Sequence, residues 1–118
     1  MAKTTPTQRS LKFLRKAGYT CAVTERWNAH IRKRQDLFGF CDLIAVAPRL
    51  LAVQTTSGCN VSARVKKILE IEEARKWVEA GHRIIVHGWA KRGERGKRKL
   101  WTVREVEIVA ADFEGGGV

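Results

Sequence analysis

The sequence predicts one α/β domain with its elements in the order α-β-β-β-α-β-β. Three observations predict it. In two segments, apolar residues recur at three- and four-residue spacing, the pattern of helices that bury one face. Five other segments are short, rich in β-branched and aromatic residues, and bounded by turn-forming residues. The chain has 118 residues, 44% hydrophobic and 30% charged, which is room for one core and not two.

The elements follow in order. Thr5 reads as an N-cap, Pro6 as the first-turn proline and Gln8 as the partner in a capping box. Leu11, Leu14 and Ala17 form the apolar face of this first helix, with Phe13 beside it, and Gly18 ends it. Residues 19–27 read as a strand and residues 28–35 as a polar loop. Two apolar runs, 40–47 and 50–55, flank a Pro48-Arg49 turn and read as a β-hairpin. Gly58 breaks the second strand, and Asn60 is placed to cap a second helix. Val61, Val65, Ile68, Ile71, Ala74 and Val78 mark the helix's buried face, and Gly81 closes it. Residues 83–89 and 100–109 give the last two strands. Residues 114–118 read as a disordered tail. There is no internal repeat and no sign of a second domain.

Charge narrows the function. Lys and Arg number 23 against 12 Asp and Glu, a formal net charge of +11. A field of that sign gathers polyanions, and nucleic acid bound through its phosphates is the expected partner. Two clusters read as phosphate-contacting arms. One is Arg32, Lys33 and Arg34; the other, in the loop 91–99, carries Lys91, Arg92, Arg95, Lys97, Arg98 and Lys99. Cys21, Cys41 and Cys59 are odd in number and lack metal-ligand spacing, so they read as buried reduced thiols. No apolar run reaches membrane-spanning length, and the first residues lack a signal peptide's apolar stretch. The expectation is a cytoplasmic protein with no membrane partner, from a bacterial, archaeal or phage-infected host cell.

The hairpin carries the candidate chemistry. A turn centred on Pro48 pairs residues whose numbers sum to 96, which sets Asp42 opposite Gln54. Asp42, Gln54 and Thr56 then share one face at the hairpin's open end, while Leu43, Val53 and Thr55 point to the other. A hard divalent cation such as Mg²⁺ or Mn²⁺ takes oxygen ligands and needs only one or two carboxylates. Asp42, the Gln54 side-chain oxygen and the Thr55 carbonyl make such a set. Each residue alone also reads as an ordinary polar strand residue.

The run Gly39-Phe40-Cys41-Asp42-Leu43-Ile44-Ala45, followed by Leu51-Ala52-Val53-Gln54-Thr55-Thr56, resembles the core of the PD-(D/E)XK nuclease superfamily. The resemblance is nearest to archaeal-type Holliday junction resolvases and related phage or VRR-type nucleases. It covers the element order from about Thr5 to Val109. It implies a restriction-endonuclease-like fold, a mixed central β-sheet flanked by helices. It also implies a Mg²⁺- or Mn²⁺-dependent endonuclease acting on DNA, with branched DNA and DNA recombination as its setting and a homodimer as its assembly. Carried across by position, Asp42 matches the metal-binding aspartate. Gln54 stands at the usual Glu or Asp, Thr56 at the usual Lys, and Cys41 at the usual Pro. For the carboxylate that many resolvases carry on the first helix, Gln8 is the nearest candidate, though its capping role explains it better. Glu25 is a substitute ligand or an exposed partner of a basic neighbour.

Thr56 brings no cation to a scissile phosphate. Lys66 or Lys67, from the second helix, reads as the replacement. With Arg64 they crowd that helix's first two turns, where the macrodipole disfavours cations, and Ser57 and Ser62 are weaker phosphate contacts. A solvated helix face with Lys66 paired to Glu70 explains the same spacing. His30, His82 and His87 show no metal spacing and read as surface or core-edge residues. Trp27, Trp77, Trp89 and Trp101 read as core and dimer-interface residues rather than base-stacking platforms. The other reading on the same fold is a catalytically inactive DNA-binding protein, for which Gln54 and Thr56 are the marks of a decayed site. An RNA-binding or translation-associated protein is a third reading, since charge does not distinguish RNA from DNA.

Overall fold

Thr5 caps the first helix, α1 (Pro6–Lys16), by reciprocal bonds. The Gln8 amide donates to Thr5 Oγ1 at 3.2 Å, and the Thr5 amide donates to Gln8 Oε1 at 3.2 Å. The computed structural model describes residues 4–93 and 95–115. The other elements are β1 (Thr20–Val23), β2 (Arg26–Asn28), β3 (Lys33–Gln35), β4 (Leu43–Val46) and β5 (Leu51–Ser57). A short 3₁₀ turn, Gly58–Asn60, leads to α2 (Val61–Leu69) and α3 (Glu72–Glu79). β6 (Arg83–Arg92), β7 (Leu100–Ile108) and α4 (Ala110–Gly115) complete the chain.

Five strands form one mixed sheet in the order β1-β4-β5-β6-β7, and β2 with β3 forms a separate two-stranded ribbon. β5 and β6 are parallel and the other pairs antiparallel. The crossover between the parallel strands runs through α2 and α3, as parallel pairing requires. β5 lies at the centre and is buried on both faces up to Thr56. Leu14 of α1 packs with Cys21, Leu43, Ala45, Leu51, Val53 and Ile85 on one face. Phe40, Ala52, Val61, Ile68, Ala74, Ile84 and Val86 fill the other, beneath α2 and α3. The start of α2 lies so close to β6 that a Cβ at Gly88 would collide with Val61 Cγ2 and sit 3.2 Å from Gly58 Cα. Glycine at position 88 lets the helix seat on the sheet.

The hairpin register holds: Leu43 faces Val53, Ile44 faces Ala52 and Ala45 faces Leu51. Four features of the expected order are corrected. The strand expected over 19–27 breaks at Thr24 and Glu25, whose amides both donate to the Asp42 carbonyl, at 2.9 and 3.2 Å. The polar loop expected over 28–35 holds the end of β2, the tip of the ribbon and all of β3, in which Arg34 pairs with Trp27. The single second helix is two helices, because Ile71 is extended (φ −95°, ψ 119°) and turns its side chain into the core. Phe113 anchors a short helix where the chain nears the expected tail. Glu94 and the tail residues 116–118 lie outside the described residues. Among the described residues, no helix is long and apolar enough to cross a membrane.

Candidate metal and nucleic-acid site

Asp42 sits just before β4, beside the carboxyl half of β5, and is 3% exposed. The antiparallel register predicts this neighbour relation, and side chains complete it. Asp42 Oδ2 accepts hydrogen bonds from Gln54 Nε2 at 2.8 Å, the Thr55 amide at 2.7 Å and Thr55 Oγ1 at 3.0 Å. Three donors on one oxygen hold the carboxylate in a single orientation. Thr55 Oγ1 in turn contacts Thr7 Oγ1 of α1 at 2.8 Å, which ties the helix to the site.

Two further carboxylates converge on Asp42. β1 pairs with β4 through Val23 and Leu43, so the chain leaving β1 passes Asp42 and brings Glu25 beside it. Asp36 arrives by a tight turn. Leu37 and Cys41 form a β-bridge, so Asp36 and Asp42 flank that turn on either side. Gly39 adopts φ 83° within it. Carboxylate oxygens of Glu25, Asp36 and Asp42 all lie within 4.8 Å of one another. Burial and the neighbouring Asp36 and Glu25 carboxylates push the Asp42 carboxyl up to about 8. The donor set is entirely oxygen, which fits a hard divalent cation such as Mg²⁺ or Mn²⁺.

The three carboxylates line a cavity of about 640 Å³. Arg64 and Lys67 of α2 and Arg34 of β3 share its wall. Arg64 and Lys67 are three residues apart and occupy one helix face. Arg34 Nη1 stands 3.8 Å from Glu25 Oε1. A cavity with a carboxylate floor and a cationic wall suits a phosphate bridged to protein by a metal ion.

The sequence-derived candidates divide accordingly. Asp42, Gln54, Thr55, Glu25, Arg34, Arg64 and Lys67 line the cavity. Gln54 presents its amide nitrogen to Asp42, so in this arrangement it orients the carboxylate. The expected faces are corrected here: Thr55, expected on the other face and as a carbonyl ligand, turns its amide and hydroxyl to Asp42, while Thr56 is buried beside Gly88 of β6 and does not line the cavity. Lys66 faces a different groove, beside Arg104 and Val106 of β7. Because α2 ends at Leu69, Lys66 and Lys67 lie in its last turn, where the macrodipole favours cations. Neither lysine is therefore held against the macrodipole, contrary to the expectation that placed both in the helix's first two turns. Asn60 donates to Ser57 Oγ at 2.9 Å and makes no side-chain cap to α2. Gln8 is committed to its capping box. Arg32 and Lys33 are exposed on the ribbon, Lys91 and Arg92 end β6, and Arg95, Lys97, Arg98 and Lys99 occupy the exposed β6–β7 connection.

Asp36 escaped the sequence reading. Its signal was the Asp36-Leu37-Phe38-Gly39-Phe40-Cys41-Asp42 run, where a glycine turn separates two aspartates. His87 also departs from expectation: it is fully buried between α1 and the sheet. Its Nδ1 lies 2.9 Å from Ser10 Oγ and its Nε2 3.2 Å from Glu105 Oε2, while Trp89 Nε1 donates to Ser10 Oγ at 2.8 Å. Cys59 is exposed, against the expectation of three buried thiols. The chain matches no family model, no curated protein and no solved structure.

Proposed function

We propose that the chain is a metal-dependent DNA endonuclease, built on a restriction-endonuclease-like sheet and acting at the Asp42 cavity. The observation that carries this reading is the joining of Glu25, Asp36 and Asp42 with Arg64 and Lys67 around one cavity. Glu25, Asp36 and Asp42 would hold Mg²⁺ or Mn²⁺. Bound there, the ion supplies Lewis acidity toward a phosphodiester oxygen and a water of lowered pKa. Gln54 and Thr55 keep Asp42 aimed at the cavity. Arg64 and Lys67 draw the phosphate in and oppose the charge that develops on it. Lys67 thereby takes the part of the lysine that Thr56 lacks. Branched DNA, a homodimer and a place in recombination belong to the same reading through the motif's resemblance.

A second reading keeps the fold and the DNA but not the cutting. Gln54, an amide where a carboxylate ligand is usual, favours it. A cleavage assay separates the two. The protein and Asp42→Ala are incubated with linear duplex, single-stranded and four-way-junction DNA in Mg²⁺, Mn²⁺ and chelator. The expected outcome is metal-dependent cutting that drops at least ~100-fold in Asp42→Ala, the size of loss seen when one element of transition-state stabilisation is removed. Binding without cutting in either metal would replace the nuclease with a DNA-binding module.

A further inference from the structure

Two large aromatic side chains stand exposed near Asp42, one lining the cavity and one on the β2–β3 ribbon. Trp27 is 59% exposed and Phe38 is 54% exposed. Phe38 lines the cavity. Trp27 pairs across the ribbon with Arg34, and paired residues project from the same face of a sheet. Arg34 lines the cavity and approaches Glu25, and Trp27, its cross-strand partner, shares its face of the ribbon.

Phe38 is held outward by its backbone. Its φ is 56°, in the left-handed region that bulky residues seldom occupy and that persists only where the surroundings enforce it. Here the enforcement is the turn: Leu37 donates to the Cys41 carbonyl at 2.9 Å, and Cys41 donates back to the Leu37 carbonyl at 3.0 Å. The Phe38 ring is backed by buried Phe40, with centroids 6.4 Å apart and planes inclined by 22°. One face of a rigid platform is therefore left to solvent. Phe38 shares the cavity wall with Arg34, Arg64 and Lys67, and Trp27 shares the ribbon with Arg32, Lys33 and Arg34.

Cations track a phosphate backbone, and flat aromatic faces stack on bases. In a continuous duplex the base faces are hidden in the stack and open only when a base is unpaired or turned out. We propose that Trp27 and Phe38 are stacking platforms for unpaired bases of a DNA strand whose backbone runs along Arg34, Arg64 and Lys67. The substrate then carries a single-stranded segment at the cavity. This assignment rests on reading the cavity as a DNA site and adds which form of DNA it takes.

The test is binding of the full chain in chelator at one fixed salt concentration, read by fluorescence anisotropy. The probes are a labelled single strand, an abasic strand of equal length and a duplex. The wild type should bind the base-bearing strand more tightly than either other probe. Trp27→Ala and Phe38→Ala should each weaken that binding about tenfold and leave the abasic strand unaffected. Trp27→Phe should retain most of the wild-type affinity. Equal affinity of the wild type for base-bearing and abasic strands would overturn the proposal, as would equal losses on both strands in the variants. Because no metal is present, the result stands apart from cleavage. Base-dependent binding, lost in Trp27→Ala and Phe38→Ala, in a protein that never cuts DNA would sustain the stacking platform and remove the nuclease.

Discussion

Asp42 is where the cost of the site concentrates. In the unfolded chain its carboxyl ionises near 3.8, and in the fold burial beside Asp36 and Glu25 raises it to about 8. The folded state therefore keeps a proton that the unfolded state gives up. Stability from this residue is fully present below about pH 4 and is lost as pH rises toward 8. His87 acts in the opposite sense. Burial lowers its pKa from 6.5 against the pull of Glu105, so its contribution is lost as pH falls below about 6.5. Comparison with Asp42→Asn separates the two. The metal-free wild type should lose thermal stability relative to Asp42→Asn between pH 5 and pH 8, by roughly 5 °C or more. Millimolar Mg²⁺ at pH 8 should restore the wild type and leave Asp42→Asn unmoved, because a bound cation favours the ionised carboxylate. Parallel melting curves for the two proteins across that range would show that Asp42 ionises freely, contrary to its burial.

At the scale of elements, α2 decides which lysine matters. Neighbouring helix positions differ by about 100° around the axis, so Lys67 shares the cavity wall with Arg64 while Lys66 turns to the β7 groove. Lys67→Ala should lower the cleavage rate of bound DNA by about 10²- to 10³-fold, and Lys66→Ala by less than about threefold. Single-turnover rates at saturating protein check this, and equal effects would remove Lys67 from the phosphate. Much of this site is legible in the sequence. Two apolar runs around Pro48-Arg49 fixed the register that opposes Asp42 to Gln54, because a one-residue slip would bury the wrong faces. The capping box was legible for the same local reason. What escaped depends on elements meeting in space. Asp36 reaches Asp42 only through a turn with Phe38 and Gly39 at positive φ. The β2–β3 ribbon has three-residue, mostly exposed strands with no alternation to betray them. His87 is buried by Ser10 and Glu105, which come from two separate elements.

At the scale of the whole molecule, two of the basic clusters stand at the same end of the sheet. β1, β5 and β6 all run in the same direction, since β1 and β5 each lie antiparallel to β4 and β6 is parallel to β5. Their carboxyl ends therefore share one edge of the sheet. There β1 leads into the Arg32–Lys33–Arg34 ribbon, β5 flanks Asp42, and β6 extends to Arg92 and the basic connection. β1 and β6 are three strand positions apart, about 14 Å at the usual spacing. If the cavity takes DNA, as proposed, these two basic arms are near enough for a single length of it to meet both. A formal charge of +11 makes attraction general, but this placement makes it directed. If the arms contact phosphates, the logarithm of DNA affinity should fall linearly with the logarithm of salt concentration, with a slope near −0.9 per duplex phosphate neutralised. The triple variant Arg95→Ala, Arg98→Ala, Lys99→Ala should reduce the slope on duplex DNA by about 3. Its cleavage rate at saturating protein and low salt should stay within about twofold of the wild type, since none of the three lines the cavity. A slope that does not change would mean that DNA never reaches the β6–β7 connection. In that case the ribbon and α2 alone would hold the backbone, and the charge beyond Arg92 would serve solubility.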